Sequence, residues 1–252
     1  MKILTSYHGK AGFIGLFAAC ALLAQSGAGP RGFGRFAGGL GFGSGLLHST
    51  VTGAPFSAVL TTDTHRTLTN GTEIQNQRQS KVYRDAQGRV RIDVTPSGGT
   101  TQTAFTLIYD PVAGYIYRLN PQKMTGVQSP VHAQTGTKPT RTPPAGVQVQ
   151  TQNLGTATVN GVAATGTQKV TTIAAGTIGN SAPIQIVRAS WVSTQLQIPV
   201  KVSVSDPRFG NSSMNLSNIV QTAPAESLFQ VPTGYTVTPA PAHPAFHGAF
   251  RH

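Results

Sequence analysis

The chain is poor in the residues that most enzymatic chemistry needs. Among 252 residues it has one cysteine, Cys20, one tryptophan, Trp191, and only seven acidic side chains. A lone cysteine makes no intrachain disulfide, and removal of the segment that holds it leaves no thiol for catalysis. Asp63, Glu73, Asp85, Asp93, Asp110, Asp206 and Glu226 do not form a paired-carboxylate pattern. Three of them, Asp85, Asp110 and Asp206, stand in turn contexts, where the carboxylate caps its own backbone. Asp63 and His65 share a strand face, but no G-x-S-x-G elbow exists to complete a triad. No glycine pattern follows a strand and opens a helix, which removes a phosphate-cradling loop. The sequence offers no catalytic residues and no cofactor site, and the expectation is a protein that is not an enzyme.

Charge is also scarce. Charged residues make up 10% of the chain, yet 19 Lys+Arg against 7 Asp+Glu leave a net +12. Loss of Lys2 and Lys10 with a removed leader takes this to +10. The cations are scattered singly, so they read mainly as solvated strand faces, with attraction to an anionic surface as the lesser reading. Arg31-Gly32-Phe33-Gly34-Arg35 is RGG-like, but a flexible leader explains it better, and no specific nucleic acid is expected.

Long apolar runs are missing except one. Ala11–Ala24 follows Lys2 and Lys10, is too short to span a membrane, and is succeeded by the small residues Ser26-Gly27-Ala28. Residues 1–28 read as a signal peptide, placing the protein in the periplasm or outside a bacterial cell. A second reading takes Phe17-Ala18-Ala19-Cys20 as a lipobox, with Cys20 lipidated and the protein anchored to the envelope.

What is abundant is Thr, Gln, Ser, Asn and Gly, a composition of many short strands and turns. Asp85-Ala86-Gln87-Gly88 and Asn160-Gly161 are hairpin turns between alternating runs. The pattern predicts strands at 56–68, 73–83, 89–95, 102–109, 114–120, 123–128, 150–159, 161–173, 183–192, 196–205 and 211–221, and a helical turn at 225–229. Ile198, Val200, Val202 and Val204 alternate strictly with polar neighbours. Pro199 marks their strand as an edge or a strand beginning, and an edge there would be free to pair across a dimer. The fold class is all-β with minor α: a curved antiparallel sheet, or half-barrel, of about 10–11 strands.

The domain is expected at 55–237, between a Gly-rich flexible leader at 29–54 and a disordered tail at 238–252. A Pro-rich segment at 129–148 reads as an exposed loop. His243, His247 and His252 lie in the tail without a supporting shell, and His132 in the loop has no evident partner, so no metal site is expected.

Two stretches carry a resemblance. One is Arg84-Asp85-Ala86-Gln87-Gly88-Arg89-Val90-Arg91 with Ile108-Tyr109-Asp110-Pro111 and Tyr117-Arg118-Leu119-Asn120-Pro121. The other is Ser205-Asp206-Pro207-Arg208 with Ser227-Leu228-Phe229-Gln230-Val231-Pro232-Thr233-Gly234-Tyr235. The layout resembles uncharacterised secreted bacterial proteins and the lipoprotein-carrier and envelope-sensor superfamily of LolA, LolB and RseB, over roughly residues 55–237. That resemblance implies a concave apolar face for an acyl chain or lipopeptide, although the helices that plug the carriers' barrel are missing here.

Phe105, Leu107, Tyr109, Tyr115, Tyr117 and Trp191 are the candidate ligand-contacting residues on that face, and the bland alternative is that they fill the core. Arg118 and Lys201, out of phase with their apolar neighbours, are expected to face solvent. The expected partner is a lipid, an acyl chain or another envelope protein. The alternative function is a structural or sensing module whose core is closed.

Overall fold

The computed structural model describes residue 46 and residues 50–96, 102–131 and 142–241. Eleven of its strands run in chain order: β1 (Phe56–Thr67), β2 (Glu73–Arg84), β3 (Val90–Val94), β4 (Phe105–Asp110), β5 (Tyr115–Asn120), β6 (Thr125–Pro130), β7 (Val147–Val159), β8 (Val162–Ile173), β9 (Ile184–Ser193), β10 (Ile198–Asp206) and β11 (Gly210–Val220). A 3-10 turn at Glu226–Phe229 precedes a twelfth strand, β12 (Thr236–Pro239). All twelve form one curved, open sheet in the order β12-β6-β5-β4-β3-β2-β1-β11-β10-β9-β8-β7.

Local chemistry makes the hairpins. Asp85 Oδ1 accepts hydrogen bonds from the amides of Gln87 and Arg89, both at 2.9 Å, which closes the β2–β3 turn. Gly88 completes it at φ +82, and a Cβ there would sit 2.7 Å from Thr50 Cγ2. Any larger residue strains the backbone and forces the Thr50 side chain to shift. Asn160 and Gly161 both take positive φ, the two-residue turn that suits the right-handed twist of β7 and β8.

One face of the sheet is apolar. Directly opposed residues on antiparallel strands share a face, so the register aligns Phe56, Leu60, Val82, Val90, Ile92 and Leu107. With Val202, Met214 and Leu216 from β10 and β11 they form a single cluster, nearly all of it at 2% exposure or less. The cluster reaches from β4 to β8, seven strand spacings apart and so ~34 Å along a flat sheet. No second sheet covers it among the described residues, so the sheet must curl around this face, which is its inner face. Leu46, in a helical conformation ahead of β1, is buried in the same cluster at 1% exposure.

The outer face is covered on one side only. After β11 the chain crosses it, and the 3-10 turn packs on β3 and β4. Phe229 is 2% exposed, and Ile108, on the outer side of β4, is fully buried. Arg91 Nη1 donates to the Leu228 carbonyl at 3.0 Å, and Arg89 bonds Asp85 and Glu226 while its guanidinium lies over the Phe229 ring. This crossing carries the chain to the far edge, where β12 pairs with β6 in parallel, the one parallel contact in the sheet.

Three expectations need correction. β10 is not an edge: β9 and β11 flank it, and Pro199 sits at its beginning, beside a register shift between Pro199 and Lys201 that absorbs the missing amide. The tail is ordered to Pro239, because the backbone of β6 offers free groups: the Thr236 amide bonds Met124 O at 2.9 Å and the Ala240 amide bonds Gln128 O at 2.7 Å. The leader's end is not loose, since the Gly53 amide bonds the Ala86 carbonyl and Arg84 Nε bonds the Ala54 carbonyl, both at 2.9 Å. The Pro-rich segment is flanked more closely than expected, by β6 ending at Pro130 and β7 beginning at Val147. The signal peptide, Cys20, His132 and the three tail histidines lie outside the described residues.

Candidate ligand-binding face

The six candidate residues do not share one face. Hairpin register decides this: in the β4–β5 pair Tyr109 opposes Ile116 and Ile108 opposes Tyr117. Odd-numbered residues of β4 therefore align with even-numbered residues of β5. Phe105, Leu107 and Tyr109 lie on the inner face, and Tyr115 and Tyr117 lie on the outer one. Phe105 is half-buried, whereas Leu107 and Tyr109 are buried in the cluster, where the Tyr109 hydroxyl meets Thr50 Oγ1 at 3.2 Å. Tyr115 is exposed, and its ring centroid is 6.2 Å from that of half-buried Tyr117. Burial, followed by the nearby Asp110 carboxylate, raises the Tyr117 phenol above its ordinary pKa.

Trp191 is half-buried against the cluster and rests on the neighbouring strand at Gly166. A Cβ on Gly166 would stand 2.7 Å from Trp191 Cζ3, so the glycine exists to let the indole lie flat on the sheet. The contact joins β8 to β9 beside Val162 and Ala164, which are buried in the core cluster.

Arginines are the inner-face residues that sequence phase alone did not place there. Arg84 is 1% exposed inside the cluster; its Nε and Nη2 bond the carbonyls of Ala54 and Leu196 at 2.9 and 2.8 Å, and its guanidinium lies 4.9 Å from the Phe56 ring centroid. Burial lowers its pKa to about 10, which leaves it charged at neutral pH. Arg118 does not face open solvent as expected. It opposes Leu107 on the inner face and stacks 4.8 Å from the Phe105 ring centroid. Lys201 does point outward and is exposed. The signal for Arg118 was available: a guanidinium, weakly hydrated and planar, tolerates an apolar face if it can stack on a ring.

A hollow of about 370 Å³ opens beside Arg118 and Phe105, closed by Val127 and by Thr236 and Thr238 of β12. A second, about 620 Å³, lies between the β1–β2 and β10–β11 turns, with Arg66, Asp206 and Arg208 in its wall. Asp206 is held there by Arg208, whose Nε and Nη2 donate to its two carboxylate oxygens at 2.9 and 2.7 Å, and these bonds lower its pKa. Among the described residues no three His, Cys, Asp or Glu side chains are grouped to hold a metal, and no helix is long and apolar enough to cross a membrane.

No protein-family model matches the chain, and no curated protein matches it in sequence. Solved structures do resemble it. An uncharacterised conserved protein from Thermus thermophilus aligns over 74% of this chain and 91% of its own, at 12% identity and a TM-score of 0.41. A chain of the MucA/MucB complex of Pseudomonas aeruginosa aligns over 73% of this chain at 13% identity and a TM-score of 0.39, and only 58% of that chain is covered. A LolA superfamily protein from Nitrosomonas europaea aligns over 75% of this chain and 97% of its own, at 8% identity and a TM-score of 0.31.

Proposed function

We propose that this is a non-enzymatic, exported envelope protein that holds a lipid or other apolar ligand against the inner face of its sheet. One observation carries the reading: a contiguous apolar face, built by seven or more strands of a single layer, with no second sheet over it among the described residues. Each methylene of a bound chain laid on that face contributes about 0.8 kcal/mol. Phe105, Leu107, Tyr109 and Trp191 are the proposed contacts from the original set, with Tyr115 and Tyr117 excluded by register. Export rests on the basic start and short apolar run of residues 1–28.

A second reading has its own support. The middle of the inner face is filled, with Leu46 seated in it and Ile92, Ile198 and Val200 at 0% exposure. A face filled in this way serves a structural or sensing module that engages another envelope protein through its surface.

Native mass spectrometry of the exported full chain, purified gently from a bacterial host, separates the two. A stoichiometric adduct of lipid mass is expected under the first reading. A clean mass from several hosts and purifications sinks it and leaves the second.

A further inference from the structure

The two edges of the sheet are finished differently. At one end β12 is four residues long and closes on Pro239, and both features blunt an edge against further pairing. At the other end β7 runs for thirteen residues with no proline and no charge of either sign, and none of its residues is buried. Its neighbours β8 and β9 carry Lys169 and Arg188. The one interruption in β7 is past its middle. There Gly155 takes φ +79, its amide bonds Asn153 Oδ1 at 2.8 Å, and the register with β8 shifts between Asn153 and Gly155. A bulge kinks an edge strand, so residues 147–153 are the regular stretch.

The direction of the backbone groups in this stretch follows from its first pair. Gly146 stands opposite Ala174, one step before Val147 opposite Ile173, and the Ala174 amide bonds the Gly146 carbonyl at 2.8 Å. Residues of an antiparallel strand turn their backbone groups to alternate sides. Those of Gln148, Gln150 and Gln152 therefore point at β8. Those of Val149, Thr151 and Asn153 point away from the sheet, where no described strand pairs with them. Side chains alternate as well: Gln148, Gln150 and Gln152 line one face, and Val149, 38% exposed, lies with Thr151 on the other.

We infer that residues 147–153 pair antiparallel with the same stretch of a second copy of this chain, about a two-fold axis at Gln150. That centre uses the whole regular stretch. Val149 of each copy exchanges backbone hydrogen bonds with Thr151 of the other, and Gln150 faces Gln150. A primary amide both donates and accepts, so the glutamine row is complementary to itself. A charged residue on the axis would face its own like, which destabilises a strand pair, and β7 has none. The chain's net charge of +12 repels a second copy over most of the surface, and the uncharged strand is where that repulsion is weakest. A strand from an acidic partner would find no cation on β7. The inference is independent of lipid binding.

The test uses the full exported chain in sedimentation velocity. Seven residues a side is well below the roughly 20–30 of a lasting complex, so the chain should be monomeric at about 1 µM and dimeric at about 100 µM. Over the same range hydrogen exchange at the Val149, Thr151 and Asn153 amides should slow, while the Gln150 amide, bonded to β8, changes little. Gln150→Lys and Gln150→Glu should each weaken association about tenfold. An equal mixture of the two should recover it, because opposite charges then meet on the axis. Gln75→Lys, which adds the same charge at an exposed position of the interior strand β2, should leave association unchanged.

A monomer at about 100 µM overturns the inference. It does so even if the three amides are protected, since a foreign strand or another segment of the chain then covers the edge. A dimer that Gln150→Lys leaves intact, or that the mixture fails to recover, places the contact elsewhere and overturns it as well. Melting temperatures identify a variant that fails to fold. Recovery in the mixture is a result no misfolded chain gives, and exchange in the unaltered chain needs no variant.

Discussion

The two wings of this sheet are built to different standards. In β4 four successive residues, Thr106 to Tyr109, are buried, because the core lies on one side and the returning C-terminal segment on the other. In β7 thirteen residues include none that is buried. Both strands lie in the same hydrogen-bonded layer, so pairing is not what differs. The difference is cover. Backbone pairing keeps a strand in register, but only side-chain burial on a face makes it costly to remove. The wing of β3 to β6 is covered on both faces where the 3-10 turn packs, whereas β8 and β9 meet the core through Val162, Ala164 and Trp191, and β7 has no buried residue.

Substitutions that act on one wing at a time sharpen this contrast. The largest effect is expected at Phe229. Phe229→Ala removes the outer-face anchor and should cost about 3–5 kcal/mol in urea unfolding followed by Trp191 fluorescence. It should also abolish hydrogen-exchange protection at the Thr236 and Ala240 amides, since β12 is reached only through the crossing. Protected amides there would show that β12 docks independently of the 3-10 turn.

Gly166→Ala comes next. Its methyl collides with the Trp191 ring, and the cost expected for overpacking is about 1–3 kcal/mol, with a shift in tryptophan emission as the indole is lifted. An unchanged spectrum and midpoint would show that Val162 and Ala164 hold β8 to the core without help from the indole.

A smaller effect is pH-dependent. Arg208 holds the Asp206 pKa down in the folded chain, so the pair contributes stability above the unfolded carboxylate value of about 3.9 and loses it as pH falls through the lower folded value. The stability gap between the wild type and Asp206→Asn should therefore be present at pH 6 and narrow below about pH 4. A gap that does not change with pH would assign the effect to packing. The smallest effect is expected at Val149→Ala on β7, within about 0.5 kcal/mol of zero. A loss of 2 kcal/mol there would show the exposed wing to be covered in solution, for example by a second chain on its free edge.

Most strand positions were legible because turn residues punctuate them. Asn160-Gly161 and Asp85 to Gly88 impose hairpins whatever the tertiary context. What escaped was set by partners distant in sequence. β12 is Thr-Val-Thr-Pro, with too little apolar content to announce itself, and it forms because β6 presents a free backbone edge. The shared face assigned to Tyr109 and Tyr117 failed on register, since the alternation within each strand was right while the parity between them was not. Arg118 was assigned to solvent on charge alone, and the ring that stacks on it lies on another strand. Pro199 was ambiguous in the sequence and resolved only by the bulge beside it.

The strand order also has a consequence in time. The first six strands form one block, and both of its outer edges are closed by strands from the second half of the chain: β1 by β11, and β6 by β12. A ribosome releases the block first. For the interval in which the next eighty residues or so emerge, at about 5–20 residues per second, β1 and β6 stand open to any passing strand. β11 shuts the β1 edge and only β12 shuts the β6 edge, so a chain stopped short of Thr236 would leave the β6 edge exposed. Completion of the sheet is an act of its last two strands in chain order.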